Sequence, residues 1–450
     1  MEYAAPSLAR RGRADLADAD CQGLAEELRE PRRCVELLVS RGVTTPADMR
    51  RCLAPRLADL RPPADMAGFA QAVELTSHAI DRQARFGVFG DYDVDGVTTA
   101  SILSIALESF GASVVASVAR RDEGYGLTLA AARRFHEAGV STLLVGDCGT
   151  SDHEALAWLA ARGVTTVVID HHQVPHELPP ATALINPHRR DCRFAFKGLC
   201  SGGVAFYLAA ALRTSMRRRG RGVSFEPRAV LDLAALATVC DMVPLQAENR
   251  VIVRHGLEQM RRQLRPGIAA MLARSKVRPG PSIDEEHLSF QLGPRINAAG
   301  RLGSAMPAFE LLRSRAAVEA SPLADRIESL NARRRELQRG VELEAQAQLE
   351  TDPARLALAG LVVAERDWPA GVVGIVAASL TERYQRPAVV IAIDEAGGVA
   401  RGSARSWGPI DVRQALADSA SHLTRFGGHP AAAGVTLRPD QIPAFAEAFA

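Results

Sequence analysis

The run Phe86-Gly87-Val88-Phe89-Gly90-Asp91-Tyr92-Asp93-Val94-Asp95-Gly96 decides how the rest of the chain is read. An apolar stretch of strand type leads straight into three carboxylates at alternate positions, followed by a glycine. Far downstream, after another strand-like run, stands Asp170-His171-His172. Acidic side chains held at a strand end, together with a distant histidine pair, are what a site for two hard divalent cations needs.

Short β-branched or apolar runs recur at 86–90, 113–118, 142–146 and 164–169, separated by helical patterns at 97–110, 129–138 and 153–161. Strands alternating with helices of that length specify crossover units, hence an α/β fold with a doubly wound, mostly parallel sheet. Ligand sites in such sheets lie at the carboxyl ends of strands. The acidic run, Asp147 and Asp170-His171-His172 all occupy such ends, so they can meet in space. Helices over 203–218 and 228–239 complete this domain, and 321–349 reads as a long charged helix whose i,i+4 pairs give a solvated connector. Beyond Thr351 a second alternation, with strands near 361–364 and 388–393 and a helix over 372–384, gives a smaller α/β domain. Upstream, 34–85 holds short helical patterns broken at Pro46, Pro55 and Pro62-Pro63, and 1–31 reads as a mobile arm or frayed helix. The expected organisation is an entry segment at 1–70, a catalytic domain at 71–310, a connector helix at 311–352 and a second domain at 353–450.

Composition narrows the class. An apolar share of 47% with 24% balanced charge is that of a folded protein. The formal charge of +2 means that any basic binding surface is local. Lys197 and Lys276 are the only lysines, and an arginine excess suits phosphate recognition or reflects genome composition. The 7 cysteines are odd in number and form no Cys-x-x-Cys pair, which argues against a disulfide framework and a zinc ribbon. No apolar run approaches the roughly 20 residues of a membrane span, and the amino terminus has no signal-peptide core. The expected setting is the cytoplasm, without a membrane partner.

Asp-x-Asp-x-Asp-Gly also opens an EF-hand loop, but the twelfth position from Asp91 is Ile102 where a bidentate glutamate is required, and a strand precedes it. Asp147 closes the strand-like run Leu143-Leu144-Val145-Gly146 and precedes Cys148-Gly149, where the chain can turn sharply. Alone, such an aspartate is as readily a helix cap. His171 and His172 alone could be surface residues, yet imidazole is a common metal ligand and a mixed oxygen and nitrogen set suits manganese. Asp241, in Cys240-Asp241-Met242-Val243-Pro244, is a further candidate ligand. Gly402-Ser403-Ala404-Arg405-Ser406 and Gly427-Gly428-His429 have the composition of a phosphate cradle and equally that of glycine turns.

These segments resemble the DHH phosphoesterase superfamily, named for the Asp-His-His that stands here at 170–172, and within it the RecJ-like exonucleases. The likeness extends through Glu123-Gly124-Tyr125-Gly126-Leu127, Ile185-Asn186-Pro187, Gly202-Gly203-Val204 and Leu292-Gly293-Pro294-Arg295-Ile296-Asn297-Ala298-Ala299-Gly300-Arg301. The resemblance implies a metal set of Asp91, Asp93, Asp95, Asp147, His171, His172 and Asp241, with Asp147 bridging two cations, manganese before magnesium. Asp170 then orients His171 from behind. Two such ions activate water and stabilise charge on the scissile phosphate. The resemblance further implies substrate contacts from Arg120, Arg295, Asn297 and Arg301, and a 5′-phosphate site built from Gly402, Ser403, Arg405, Ser406, Gly427, Gly428 and His429. Tyr125 and Trp368 are stacking candidates.

The implied activity is 5′ to 3′ exonucleolytic hydrolysis of single-stranded DNA in recombination and repair, by a monomer that cooperates with a helicase and a single-strand-binding protein. The alternatives are a phosphoesterase of the same superfamily acting on short oligonucleotides, cyclic dinucleotides or pyrophosphate, and a non-catalytic binding protein. RecJ-like chains commonly continue into an oligonucleotide-binding β-barrel, whereas this sequence stops soon after Gly434, which implies a weaker hold on long strands. Pro369 replaces a histidine common after the tryptophan, Phe89 cannot supply the imidazole some branches place before the acidic run, and Val118-Ala119 replaces a Pro-Asn ahead of Arg120.

Overall fold

The computed structural model describes residues 18–277, 282–394 and 398–450. Residues 1–17, the greater part of the expected arm, lie outside them. The chain forms two compact units, the first running to Val118 and through Gly126–Gly293, the second comprising Ala119–Tyr125 and Pro294–Ala450.

Unit 1 opens with α1 (Asp18–Leu28), α2 (Arg32–Ser40) and α3 (Pro46–Leu53), and then α4 (Phe69–Asp81). Cys21 and Ala25 of α1 are buried with Val35, Leu38, Val39 and Met49, so the stretch before Pro31 includes a packed helix where a mobile arm or frayed helix was expected. The strands and helices that follow are β1 (Arg85–Gly90), α5 (Val94–Ser109), β2 (Ser113–Val118), α6 (Leu129–Glu137), β3 (Thr142–Gly146), α7 (His153–Ala160), β4 (Thr165–Ile169), β5 (Ala183–Ile185), α8 (Ser201–Arg218), α9 (Leu231–Cys240), α10 (Ala247–Arg262) and α11 (Pro266–Arg274). The sheet is wholly parallel, in the order β2-β1-β3-β4-β5. Every residue of β3 is buried, as is β1 after Arg85, because helices cover both faces of the sheet. That is why these strands read as unbroken apolar runs. β5 has only three residues and gave too little pattern to be recognised.

The strand order reverses between β1 and β3, since β2 lies on one side of β1 and β3 on the other. Doubly wound sheets open a crevice at such a point, beyond the carboxyl ends of the strands. Asp91 and Asp147 are the residues that follow those two strands.

Unit 2 holds α12 (Gly293–Arg301) from Pro294 onward, α13 (Met306–Arg313), α14 (Ala317–Glu350), α15 (Pro353–Ala357), β6 (Leu361–Arg366), α16 (Val373–Tyr384), β7 (Ala388–Asp394), β8 (Val399–Arg405), α17 (Val412–Asp418), β9 (Arg425–His429), β10 (Ala432–Leu437) and α18 (Ile442–Phe449). Only β6 and β7 pair in parallel; the sheet continues antiparallel in the order β6-β7-β8-β10-β9. Val341, Ala345 and Leu349 of α14 are buried with Val363, Val390 and the apolar side of α16. The long helix is therefore part of the second unit's core, where the charge pattern had suggested a solvated connector.

Candidate metal centre and anion site

The acidic loop is shaped by two glycines. A Cβ on Gly96 would come within 2.4 Å of the Asp91 backbone nitrogen, and one on Gly90 within 2.3 Å of the Gly96 carbonyl. Without side chains there, helix α5 can start at Val94, directly beneath the strand end. Asp93 caps it by accepting from the Gly96 amide at 3.0 Å. Asp95 lies inside the first turn of α5, which starts three residues ahead of the expected 97–110. Its two oxygens accept from the amides of Ser201 (2.8 Å) and Gly202 (2.7 Å), so the amino terminus of α8 holds a carboxylate brought from another element.

Asp147 has φ +63, a left-handed conformation that is costly for a residue with a side chain. Its amide donates to the Ile169 carbonyl at 2.9 Å, and the Ser201 hydroxyl donates to its Oδ1 at 3.0 Å. Ser201 was not among the expected residues. The sequence signal for it is a hydroxyl placed just ahead of Gly202-Gly203 at a helix start.

The aspartate of the Asp-His-His triplet follows β4 and is buried. Its Oδ1 accepts from the amides of His171 (2.7 Å) and His172 (3.1 Å) and lies 2.8 Å from His172 Nδ1, while Oδ2 accepts from the Thr150 amide at 3.1 Å. The ring that Asp170 orients is thus His172, where His171 was expected; two adjacent histidines cannot be told apart from sequence. Asn186, also buried, locks the loop by donating to Thr150 Oγ1 (3.2 Å) and the His172 carbonyl (2.9 Å).

His171 Nε2 stands at the centre, 3.5 Å from Asp147 Oδ1, 3.5 Å from Asp241 Oδ2 and 3.7 Å from Asp95 Oδ2. Asp241 caps the carboxyl end of α9. Three overlapping sets, Asp91 with Asp93 and Asp147, Asp147 with His171 and His172, and Asp95 with His171 and Asp241, each bring their donor atoms within 4.8 Å of one another. All seven expected donors fall in these sets, and Asp147 belongs to two.

The electrostatics are those of a site short of positive charge. Burial pushes the Asp147 carboxyl well above its ordinary range, and Asp95, Asp93, Asp91 and Asp241 add to it. Asp241 is pushed up to about 8 by burial, then by Asp95 and Asp93. Burial lowers His171. Burial would also lower His172, but the bond to Asp170 and its charge carry it up to about 9. For Asp170 the opposing effect of burial is outweighed by His172 and Thr150, which hold the carboxyl far below the usual range. His171 Nε2 and Asp241 Oδ2 are buried without a hydrogen-bond partner. Orphaned donor atoms of both kinds, aimed into a nest of carboxylates, fit divalent cations and fit little else.

The second cluster of expected residues lies on the β8–β10–β9 half of the other sheet. Register places Arg405, Ala432 and His429 in one row and Ser403, Gly434 and Gly427 in the next, on one face. The opposite face, with Ala400, Ala404, Ala433 and Val435, is core. Arg405 donates to Ser403 Oγ (2.6 Å) and the Ala404 carbonyl (2.8 Å), and a Cβ on Gly374, in the first turn of α16, would meet both side chains. Gly402 and Gly428 belong to the core side: a Cβ on the first would strike Ile391 and Val435, and on the second the backbone of Ala432 and Ala433. The Ser406 hydroxyl donates to the Ile410 carbonyl and closes the next loop. Ser403, Arg405, Gly427 and His429 are the members that face outward together.

The expected arginines have partners within unit 2. Arg120 pairs with Asp122 (2.8 Å), Arg295 with Glu328 (2.6 Å), and Arg301 donates to the Gly371 carbonyl (3.1 Å). Asn297 lies beside them in sequence on α12. Trp368 is only 6% exposed and donates from Nε1 to Glu344, so it cannot stack on a ligand; Tyr125 is 56% exposed.

Comparison with known proteins follows this division. Residues 85–238 match the DHH family, N-terminal domain, and residues 357–450 the DHHA1 domain. The chain is 38% identical over 424 residues to the single-stranded-DNA-specific exonuclease RecJ of Bacillus subtilis, covering 94% of this chain and 52% of that protein. It is 39% identical to RecJ of Dickeya dadantii, covering 92% and 73%. Among solved structures, RecJ of Thermus thermophilus in complex with Mn2+ superposes with a TM-score of 0.82 at 30% identity, over 98% of this chain and 61% of that one. The chain thus spans about half the length of the Bacillus relative.

Proposed function

The chain belongs to the RecJ family of single-stranded-DNA-specific exonucleases, and from that premise we propose that it hydrolyses phosphodiester bonds of single-stranded DNA from the 5′ end with divalent cations, manganese foremost. The observation that carries this reading is the convergence of Asp91, Asp93, Asp95, Asp147, His171, His172 and Asp241 in overlapping sets at the β1/β3 crevice.

In this reading those seven residues would hold the cations, and Asp147, which belongs to two of the three sets, would serve both. When bound, a pair of such ions supplies an activated water and neutralises charge developing on the phosphate. The protein's part is positional. Ser201 and the left-handed turn aim the Asp147 carboxylate, the α8 amides fix Asp95, and Asp170 holds Nδ1 of His172, which leaves Nε2 as the nitrogen that would face a cation. In unit 2, Ser403, Arg405 and His429, beside the amides that open α16, receive the terminal 5′ phosphate. The arginines and Asn297 of α12, with Arg120, contact the backbone of the strand. Contacts of this kind are blind to base sequence.

The test is a manganese-dependent digest of DNA labelled at one end or the other, single-stranded or duplex. Mononucleotides released first from the 5′ end of single strands are expected. Release from the 3′ end, equal attack on blunt duplex, or cleavage only of dinucleotides would overturn the proposal.

A further inference from the structure

Three tryptophans occur in the chain, and two have defined structural roles. Trp368 is buried and hydrogen-bonded to Glu344; Trp158 lies under the guanidinium of Arg162, 3.7 Å from the ring centroid. The third, Trp407, is 38% exposed, and its indole makes no hydrogen bond or ring contact among the described residues. A large apolar ring left in water needs a reason.

Its position supplies one. Trp407 sits two residues after Arg405, in a loop held at both ends. The Ser406 amide donates to the Ala431 carbonyl at 3.0 Å and the Val412 amide to the Pro430 carbonyl at 2.9 Å. Between those ties the Ser406 hydroxyl reaches the Ile410 carbonyl, the Ile410 amide reaches the Trp407 carbonyl at 3.4 Å, and Gly408 takes φ +60. Pro430-Ala431 is the turn that leaves His429. The loop is therefore fastened to the same two strand ends that carry Arg405 and His429, which keeps Trp407 at the edge of the anion site. A platform fixed in advance loses little freedom when a ligand lands on it.

An anion site with an exposed tryptophan on the adjoining, tied-down loop has the chemistry of a nucleotide end: phosphate on the guanidinium, imidazole and hydroxyl, base on the ring. We propose that Trp407 is the stacking platform for the nucleobase of the 5′-terminal nucleotide. This rests on the assignment of Ser403, Arg405 and His429 to the 5′ phosphate. Because any base offers a π-face, the platform grips the strand end without reading its sequence, and purines gain more than pyrimidines.

The experiment uses the full chain with manganese and three oligonucleotides: a 5′-phosphorylated single strand, the same strand with an abasic 5′ nucleotide, and the same strand with a 5′ hydroxyl. In the wild type, removing the terminal base should raise KM about tenfold, the scale of one stacked base. Trp407→Ala should raise KM for the intact strand by the same factor and abolish the distinction between intact and abasic ends, with turnover at saturation retained. Trp407→Phe should keep most of the affinity, and binding of the phosphorylated strand should quench indole emission in the wild type but not in Trp407→Phe. Equal KM values for wild type and Trp407→Ala, or an abasic penalty that persists in the variant, would overturn the platform while leaving the exonuclease reading intact. A wild type with no preference for the 5′ phosphate would bring down the anion-site assignment, and the platform with it.

Discussion

Single atoms decide the metal centre. Among the described residues the Ser201 hydroxyl is the neutral donor to Asp147 Oδ1, the oxygen that also faces His171. Its removal leaves the carboxylate free to rotate, and loss of such outer contacts typically costs 10- to 100-fold in metal affinity or rate. Ser201→Ala is therefore expected to lose about that much in manganese-dependent turnover with an unchanged circular dichroism spectrum, whereas Asp147→Ala should have no measurable turnover. Asp152 supplies a pH test away from the ligands. Burial raises its carboxyl to about 6 although it accepts from the Leu127 amide at 2.7 Å. A raised carboxyl binds its proton more tightly folded than unfolded, so its stabilising contribution is complete below about pH 4 and is lost as pH rises through about 6. Asp152→Asn keeps an acceptor for Leu127 but cannot ionise. Its stability relative to wild type should rise by up to about 3 kcal/mol between pH 4 and 7, read from denaturant midpoints at each pH.

At the level of elements, the site depends on close backbone approach more than on side-chain packing. Gly96→Ala puts a methyl group against the Asp91 backbone, which cannot move without dragging β1 and α5 apart. The expected cost is about 1–3 kcal/mol in stability, with manganese binding by calorimetry weakened about tenfold or more. Unchanged binding would show that the loop tolerates a different path. This level also shows what a sequence can and cannot reveal. β1, β3 and β4 were legible because burial on both faces forces unbroken apolar residues. β8, β9 and β10 were not, because Val399–Arg405 and Arg425–His429 carry glycine, serine and arginine on an open face and so imitate turns. That these seven residues would meet was legible through motif spacing and resemblance. Ser201, and the choice of His172 over His171 as the ring bonded to Asp170, were not, because both follow from how helix α8 and the β4 loop are placed in space.

For the molecule as a whole, the carboxylates of unit 1 repel one another until cations arrive. A ligand that binds only the folded state at 100 times its Kd stabilises it by about 2.7 kcal/mol. Manganese at that level should raise the thermal midpoint of the transition that belongs to unit 1, and chelation should reverse it; Asp241→Asn should largely lose the response. A midpoint indifferent to chelator would argue against a metal centre here. Among the described residues no helix is long and apolar enough to cross a membrane, and the cysteines are all free thiols.

The candidate donors are scattered from Asp91 to Asp241, and two of them, Asp95 and Asp147, are gripped by the start of α8, which lies further along the chain. A nascent polypeptide still inside the ribosome tunnel beyond Ile169 has the first carboxylates but neither the imidazoles nor the clamp, and one halted before α9 lacks Asp241. Interrupted synthesis therefore yields fragments with an incomplete cluster, and the set of seven closes only after translation has passed the last of its parts.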